Sequence, residues 1–278
     1  MSVTPETPLA ATSSSPLLSA VQVRRWIDGR TEYVVDQVAE EQPIALTYQG
    51  IPHVVMLATP ADLEDLAVGF TLSETLVQLA DEIKSVEVFN DVGALEVRIG
   101  VTSERFSALL KQRRNLSGRT GCGLCGAETI EQAIRPPVPV GKGPNITIAE
   151  LHDALGALQA LQPLNAQAGS VHAAAWVLPG KGVRLVREDV GRHNALDKVI
   201  GALARAGIDC SGGYLVITSR ASYEMVQKAA TVGITVLAAV SAPTALAIRL
   251  AEAAGLTLIG FARARQHVVY THPRRLLD

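Results

Sequence analysis

Three runs in the last third of the chain, residues 214–218, 234–240 and 256–261, are almost entirely apolar. Each is too short for a helix of ordinary length, and an apolar strand of this kind must be covered on both faces. Helical patterns at 222–231 and 244–254 separate the runs, and a helix over 194–206, ended by Gly207, precedes them. Buried strands joined by helical crossovers predict an α/β unit with a mostly parallel sheet and helices on both sides. Upstream, Thr147-Ile148-Ala149-Glu150 is a capping box opening a helix to about residue 161. Strands at 171–178 and 182–186 flank a turn at Pro179-Gly180-Lys181. The rear unit is therefore expected over residues 147–278.

A smaller α+β unit is expected over 21–115. Strands at 44–48 and 53–57 meet at Gln49-Gly50, and a hairpin joins 86–90 to 94–99. Thr59-Pro60-Ala61-Asp62 reads as a helix start, with Thr59 as N-cap. Residues 104–114 read as a helix with a basic end. Residues 1–20 are rich in Ser, Thr, Pro and Ala, and read as a disordered tail rather than a signal peptide. Residues 116–146, with two Pro/Gly clusters, read as a linker loop long enough to carry a function.

Charge narrows the function classes. With 25 basic and 27 acidic side chains, net charge −2, the chain lacks the electrostatics of a nucleic-acid binder. Residues 229–248 carry no charge, but Ser241-Ala242-Pro243-Thr244 interrupts them, so a buried strand and helix start explain them better than a membrane span. Three cysteines form no disulfide framework and fit a reducing, cytoplasmic setting.

Each strand of the rear unit is followed by a polar cluster. Arg187-Glu188-Asp189-Val190-Gly191-Arg192-His193-Asn194 follows the second strand. Ser219-Arg220-Ala221-Ser222, Ser241-Ala242-Pro243-Thr244 and Phe261-Ala262-Arg263-Ala264-Arg265 follow the later three. Carboxyl ends of strands line the ligand crevice of an open α/β sheet, and helix N-termini there present free N–H groups to anions. Arg192, Arg220, Arg263 and Arg265 add forked donors suited to phosphate. A phosphorylated, nucleotide-containing ligand is expected. Any one Ser or Thr here is more commonly a helix cap than a ligand contact; the four clusters at one edge carry the inference. His193, between Asp189 and Arg192, is a site candidate. His172 either serves structure or tunes a nearby thiolate. Asp197 and Lys198 are expected on a solvated helix face, and Cys210 as an inert small side chain.

Gly121-Cys122-Gly123-Leu124-Cys125-Gly126 places two thiols two residues apart in an unhindered loop. A structural zinc site commonly needs two such pairs. A zinc deaminase needs a His-x-Glu, but His172 is followed by Ala173-Ala174. A thioredoxin-like pair normally follows a strand. A mobile nucleophilic sulfur remains, its thiolate favoured by Arg113, Arg114 and Arg119 and opposed by Glu128 and Glu131.

With GCGLCG at 121–126, EDVGRHNALDKVIG at 188–201, SRASYEMVQKA at 219–229, SAPT at 241–244, GFAR at 260–263 and the segment 62–74, the chain resembles the formate dehydrogenase accessory sulfurtransferase family. The resemblance runs from about residue 20 to Thr271; Ser219 departs from it, where the family often has Gly. It implies a rear domain similar to the cytidine deaminase fold. It implies a sulfurtransferase that takes sulfur from a cysteine desulfurase, holds it as a persulfide, and delivers it to a Mo-bis(molybdopterin guanine dinucleotide) cofactor destined for formate dehydrogenase. Cys122 is then the persulfide carrier, Cys125 its helper, and Phe261 to Gln266 the cofactor-binding stretch, with Arg192, His193, Ser219 and Arg220 beside it. No metal bound directly by the protein, no nucleic acid and no membrane partner are expected, and a homodimer is compatible with the reading. A zinc- or iron-binding module and a non-catalytic cofactor chaperone are the competing readings.

Overall fold

A computed structural model describes residues 17–91, 94–114 and 138–278. The chain opens with a two-stranded antiparallel ribbon, β1 (Leu18–Ile27) and β2 (Arg30–Ala39). Its turn is Asp28-Gly29, at φ 49° and 79°, the left-handed pair that a two-residue hairpin requires. A second hairpin, β3 (Gln42–Tyr48) and β4 (Ile51–Ala58), turns in the same way at Gln49-Gly50. Then come α1 (Leu63–Ser73), β5 (Ile83–Asp91), β6 (Ala94–Val101) and α2 (Ser103–Arg114). The front sheet runs β4-β3-β6-β5, and only its β3–β6 pairing is parallel. Leu63, Leu66 and Ala67 of α1 pack on Ile44, Leu46, Val97 and Ile99 of that sheet.

The rear unit begins with β7 (Ile146–Thr147), α3 (Ile148–Ala160) and α4 (Pro163–Ala168). The capping box is formed: Thr147 Oγ1 accepts from the Glu150 amide, and Glu150 accepts from the Thr147 amide. There follow β8 (His172–Leu178), β9 (Gly182–Asp189), α5 (Arg192–Arg205), β10 (Tyr214–Ile217), α6 (Tyr223–Thr231), β11 (Val236–Ala239), α7 (Ala245–Ala254), β12 (Thr257–Arg263), β13 (Gln266–Thr271) and β14 (Leu276–Leu277). Successive side chains of β8 serve opposite faces, as pleating dictates. Ala174 and Trp176 join Leu196, Ile200, Val226 and Leu250 of α5, α6 and α7, whereas Ala173, Ala175 and Val177 join Leu151, Ala154 and Leu158 of α3.

The structure departs from the sequence expectations in four places. The rear sheet, ordered β13-β12-β11-β10-β8-β9, is mixed rather than mostly parallel; only β10–β11 and β11–β12 pair in parallel. The hairpins β8–β9 and β12–β13 supply the antiparallel remainder, because short turns cannot join parallel strands. The expected tail 1–20 contains strand from Leu18, whose side chain is buried with Leu164 and Val171; residues 1–16 lie outside the described residues. Thr59 does not cap α1. Asp62 enters the helix at φ 52°, while Thr59 donates its amide to Asp189 and accepts on its hydroxyl from the Val190 amide. Asp197 and Lys198 are buried rather than solvated, at 2% and 0% exposure.

Asp197 faces α1, where Ser73 donates to it at 2.7 Å, and Lys198 faces the Thr59 segment that precedes α1. Helices α1 and α5 cross backbone to backbone at glycines: a Cβ on Gly69 would lie 1.7 Å from the Asp197 carbonyl oxygen, and one on Gly201 1.9 Å from that of Asp65. This approach closes three charged nodes. Asp65 accepts from Arg187 (2.7 Å) and Arg205 (2.6 Å). Lys198 pairs with Asp189 at 2.6 Å and donates to the Thr59 carbonyl at 3.0 Å. Lys228 reaches Asp197, Glu74 and Ser73, each at 2.9 Å. Asp197 is shifted up by burial despite Lys228; for Lys228, burial pulls down but the two carboxylates prevail and raise it.

Candidate functional site: the strand-end row

The loops that follow β10, β11 and β12 are fastened to one another. Ala221 and Pro243 form a parallel bridge, the Thr244 amide donates to the Ala221 carbonyl at 3.1 Å, and the Phe261 amide donates to the Ser241 carbonyl at 3.1 Å. Gly260 allows this closeness, since a Cβ there would come within 2.7 Å of the Pro243 ring. Phe261 takes φ 50°, and the β12–β13 register shifts beside it. Beyond this shift Arg263 pairs with Gln266 across a turn in which Arg265 is left-handed at φ 65°. Arg263, Ala264, Arg265 and Gln266 are exposed, Phe261 is 38% exposed, and Ala262 is fully buried in the core on α3's side of the sheet.

At the other end of the row, β8 runs antiparallel to β10, which brings its first residue, His172, to the carboxyl edge opposite Asp189 of β9. Asp189 organises the β9–α5 loop. Its carboxylate accepts from the Gly191 amide (2.8 Å), the Asn194 amide group (2.9 Å), the Thr59 amide (3.1 Å) and Lys198. Asp189, Asn194 and Lys198 are thus the scaffold that presents Arg192 and His193 at the start of α5. His193 Nε2 lies 2.7 Å from Glu224 Oε2 on α6, which ties the two helix starts together. His172 is held below its ordinary pKa, first by burial and then by the charge of Arg192, and is neutral at pH 7.

The row contains polar atoms without a protein partner. Among the described residues, Arg192 Nε and Ser222 Oγ are buried and make no hydrogen bond. Ser222 is the N-cap of α6, but its side chain does not cap, so the hydroxyl is not spent on the helix. Thr244 behaves in the ordinary way and caps α7 by accepting from Ala247. Ser219 is buried and donates to the Arg220 carbonyl, while Arg220 is exposed. Four strand spacings separate β9 from β12, so the row is about 19 Å long.

Arg192, His193, Ser219, Arg220 and the 261–266 stretch therefore share one edge, as expected from the sequence. Cys122 and Cys125 lie outside the described residues. Glu224 has no distinct sequence signal. Ser222 stands out only within its cluster, because a Ser before a helix reads as a cap, and His172 reads as structural or thiolate-tuning rather than as part of this edge, because β8 reads the same in either direction. Among the described residues no group of three His, Cys, Asp or Glu side chains converges as a metal site.

A sulfur carrier protein of Xanthomonas euvesicatoria pv. vesicatoria is 56% identical over 254 residues, covering 91% of this chain and 90% of the relative. One from Cupriavidus necator is 52% identical over 267 residues, covering 96% and 93%. A crystal structure described as "a putative formate dehydrogenase accessory protein" from Desulfotalea psychrophila superposes with a TM-score of 0.76 at 23% identity, covering 94% of this chain and 100% of that one, which shows a shared fold. The sequence profile of the FdhD/NarQ family matches residues 39–277, and the chain belongs to that family.

Proposed function

We propose that this protein is a sulfurtransferase serving formate dehydrogenase. It carries sulfur as a persulfide on Cys122, assisted by Cys125, from a cysteine desulfurase to a Mo-bis(molybdopterin guanine dinucleotide) cofactor seated along the strand-end row. The observation that carries the reading is the pair of buried, unpartnered donors, Arg192 Nε and Ser222 Oγ, in a row flanked by Arg220, Arg263 and Arg265. Buried polar atoms without partners are costly, and a phosphate oxygen would satisfy both. The row's length of about 19 Å suits an extended ligand with nucleotide arms better than a compact anion. The curated relatives named above as sulfur carriers support the sulfur half of the reading.

Loading follows thiol–disulfide exchange chemistry. The Cys122 thiolate attacks the terminal sulfur of the donor's persulfide, the donor cysteine leaves as thiolate, and Cys122 then holds the sulfane sulfur. The bound cofactor supplies the metal centre that accepts sulfur. The chain's own residues position the acceptor: Arg192, Ser222 and the 261–266 backbone hold its anionic arms, and neutral His172 adds no competing charge beside Arg192. In the same reading the rear unit over 147–278 is a cytidine deaminase-like domain, joined to the 21–115 unit by the segment 116–146, whose sequence carries the thiols. The protein works in the cytoplasm.

The test is formate dehydrogenase activity in cells that lack the native copy of this protein. Cys122→Ala is expected to abolish support, and Arg192→Ala to lower it with the persulfide still formed. Full activity with Cys122→Ala would replace this reading with that of a cofactor chaperone.

A further inference from the structure

His152 on α3 and His267 on β13 meet outside the strand-end row. Nε2 of His152 lies 3.1 Å from Nδ1 of His267, with ring centroids 5.3 Å apart and planes at 66°. Both side chains are half-buried, and each stands on a fixed element. His152 follows Leu151, which is fully buried in the core beneath the sheet, and His267 follows Gln266 at the foot of the β12–β13 hairpin. We propose that His152 Nε2 and His267 Nδ1 together bind a divalent transition cation of the borderline class, such as nickel or zinc, with water filling the other positions.

The spacing supports this. Metal–imidazole bonds of about 2.1 Å to two nitrogens 3.1 Å apart subtend about 95° at the metal. That angle belongs to neighbouring positions of a square or octahedral shell, which Ni²⁺ favours. A tetrahedral Zn²⁺ would need the nitrogens to open to about 3.4 Å. In the metal-free pair one ring donates its N–H to the other. On binding, that proton moves to the donor ring's other nitrogen, so both rings stay neutral and each presents a lone pair. With no third His, Cys, Asp or Glu converging among the described residues, the cation is held by two protein ligands and exchanges readily. The bound cation would pin the hairpin bearing residues 261–266 to α3.

The test uses tag-free, full-length protein and calorimetric titration with NiCl₂ and, separately, ZnCl₂. Wild type is expected to take up one equivalent more Ni²⁺ than His152→Ala, His267→Ala or His267→Gln. Zn²⁺ should bind more weakly at this site. The thiols of Cys122 and Cys125 are present in every sample, so any cation they hold cancels in the difference. In the unmodified protein, Ni²⁺ should broaden the ring signals of His152 and His267 before those of the other four histidines. Equal uptake by wild type and variants, or first broadening at other histidines, would overturn the proposal.

Discussion

Lys198 has no exposure, and its ammonium is met by the Asp189 carboxylate and the Thr59 carbonyl. Removing one member of a buried pair leaves the other charge uncompensated, at a cost of about 3–5 kcal/mol. Lys198→Met is therefore expected to lower unfolding free energy by that amount in urea titration, and a loss below about 1 kcal/mol would contradict the role assigned to the pair. No local signal announces this residue. Its partner from the front unit is 139 positions away, and charged residues on a helix are solvated far more often than buried. Cys210 was legible, because it has no thiol neighbour in sequence. Its thiol is pushed up to about 11, by burial first and by the Asp209 charge second. Folded protein should leave Cys210 unalkylated by iodoacetamide at pH 7.5 while 8 M urea exposes it; mapping the modified peptides by mass spectrometry checks this. Fast labelling of Cys210 in the folded state would contradict its burial.

Elements were read well where one face is buried and poorly where neither is. The alternation in β6 and the apolar runs of β10, β11 and β12 mark strands, since burial imposes the pattern. Most of the β1–β2 ribbon was not legible because it is exposed on both faces, with Trp26, Tyr33 and Val35 all facing solvent. The α1–α5 crossing was hidden for another reason: glycines inside helices look like weak helix formers, not contact points. Gly201→Ala adds a methyl inside 2 Å of a backbone oxygen. Overpacking of about 1–3 kcal/mol should exceed the ~1 kcal/mol gained in helix propensity, so a lowered melting temperature is expected. An increase would mean that the helices part easily. The capping box on α3 makes a pH-dependent prediction. Glu150 is held below its ordinary pKa, chiefly by the Thr147 amide and then by the Gly180 amide. A depressed carboxylate stabilises the fold above its unfolded pKa, about 4.3, and that contribution disappears as pH falls through the folded value. Glu150→Ala should thus cost about 1 kcal/mol at pH 7 and progressively less below pH 4, in paired thermal melts. A deficit that grows on acidification would reverse the assigned sign.

For the whole molecule, the front and rear units are joined at the helices whose starts carry Arg192 and Ser222. Helix α1 belongs to the front core, yet it locks α5 and α6 through Asp65, Ser73 and Glu74, and those helices begin at Arg192 and Ser222. The edge row was legible as polar clusters after strands; its assembly was not, because bridges such as Ala221 to Pro243 depend on pairings that no single segment encodes. Sulfur carriage by Cys122 is tested by intact-protein mass spectrometry after incubation with a cysteine desulfurase and cysteine. The wild type should gain one sulfur atom, a gain reversed by reductant and absent in Cys122→Ala. No gain in the wild type, or an undiminished gain in Cys122→Ala, would contradict it.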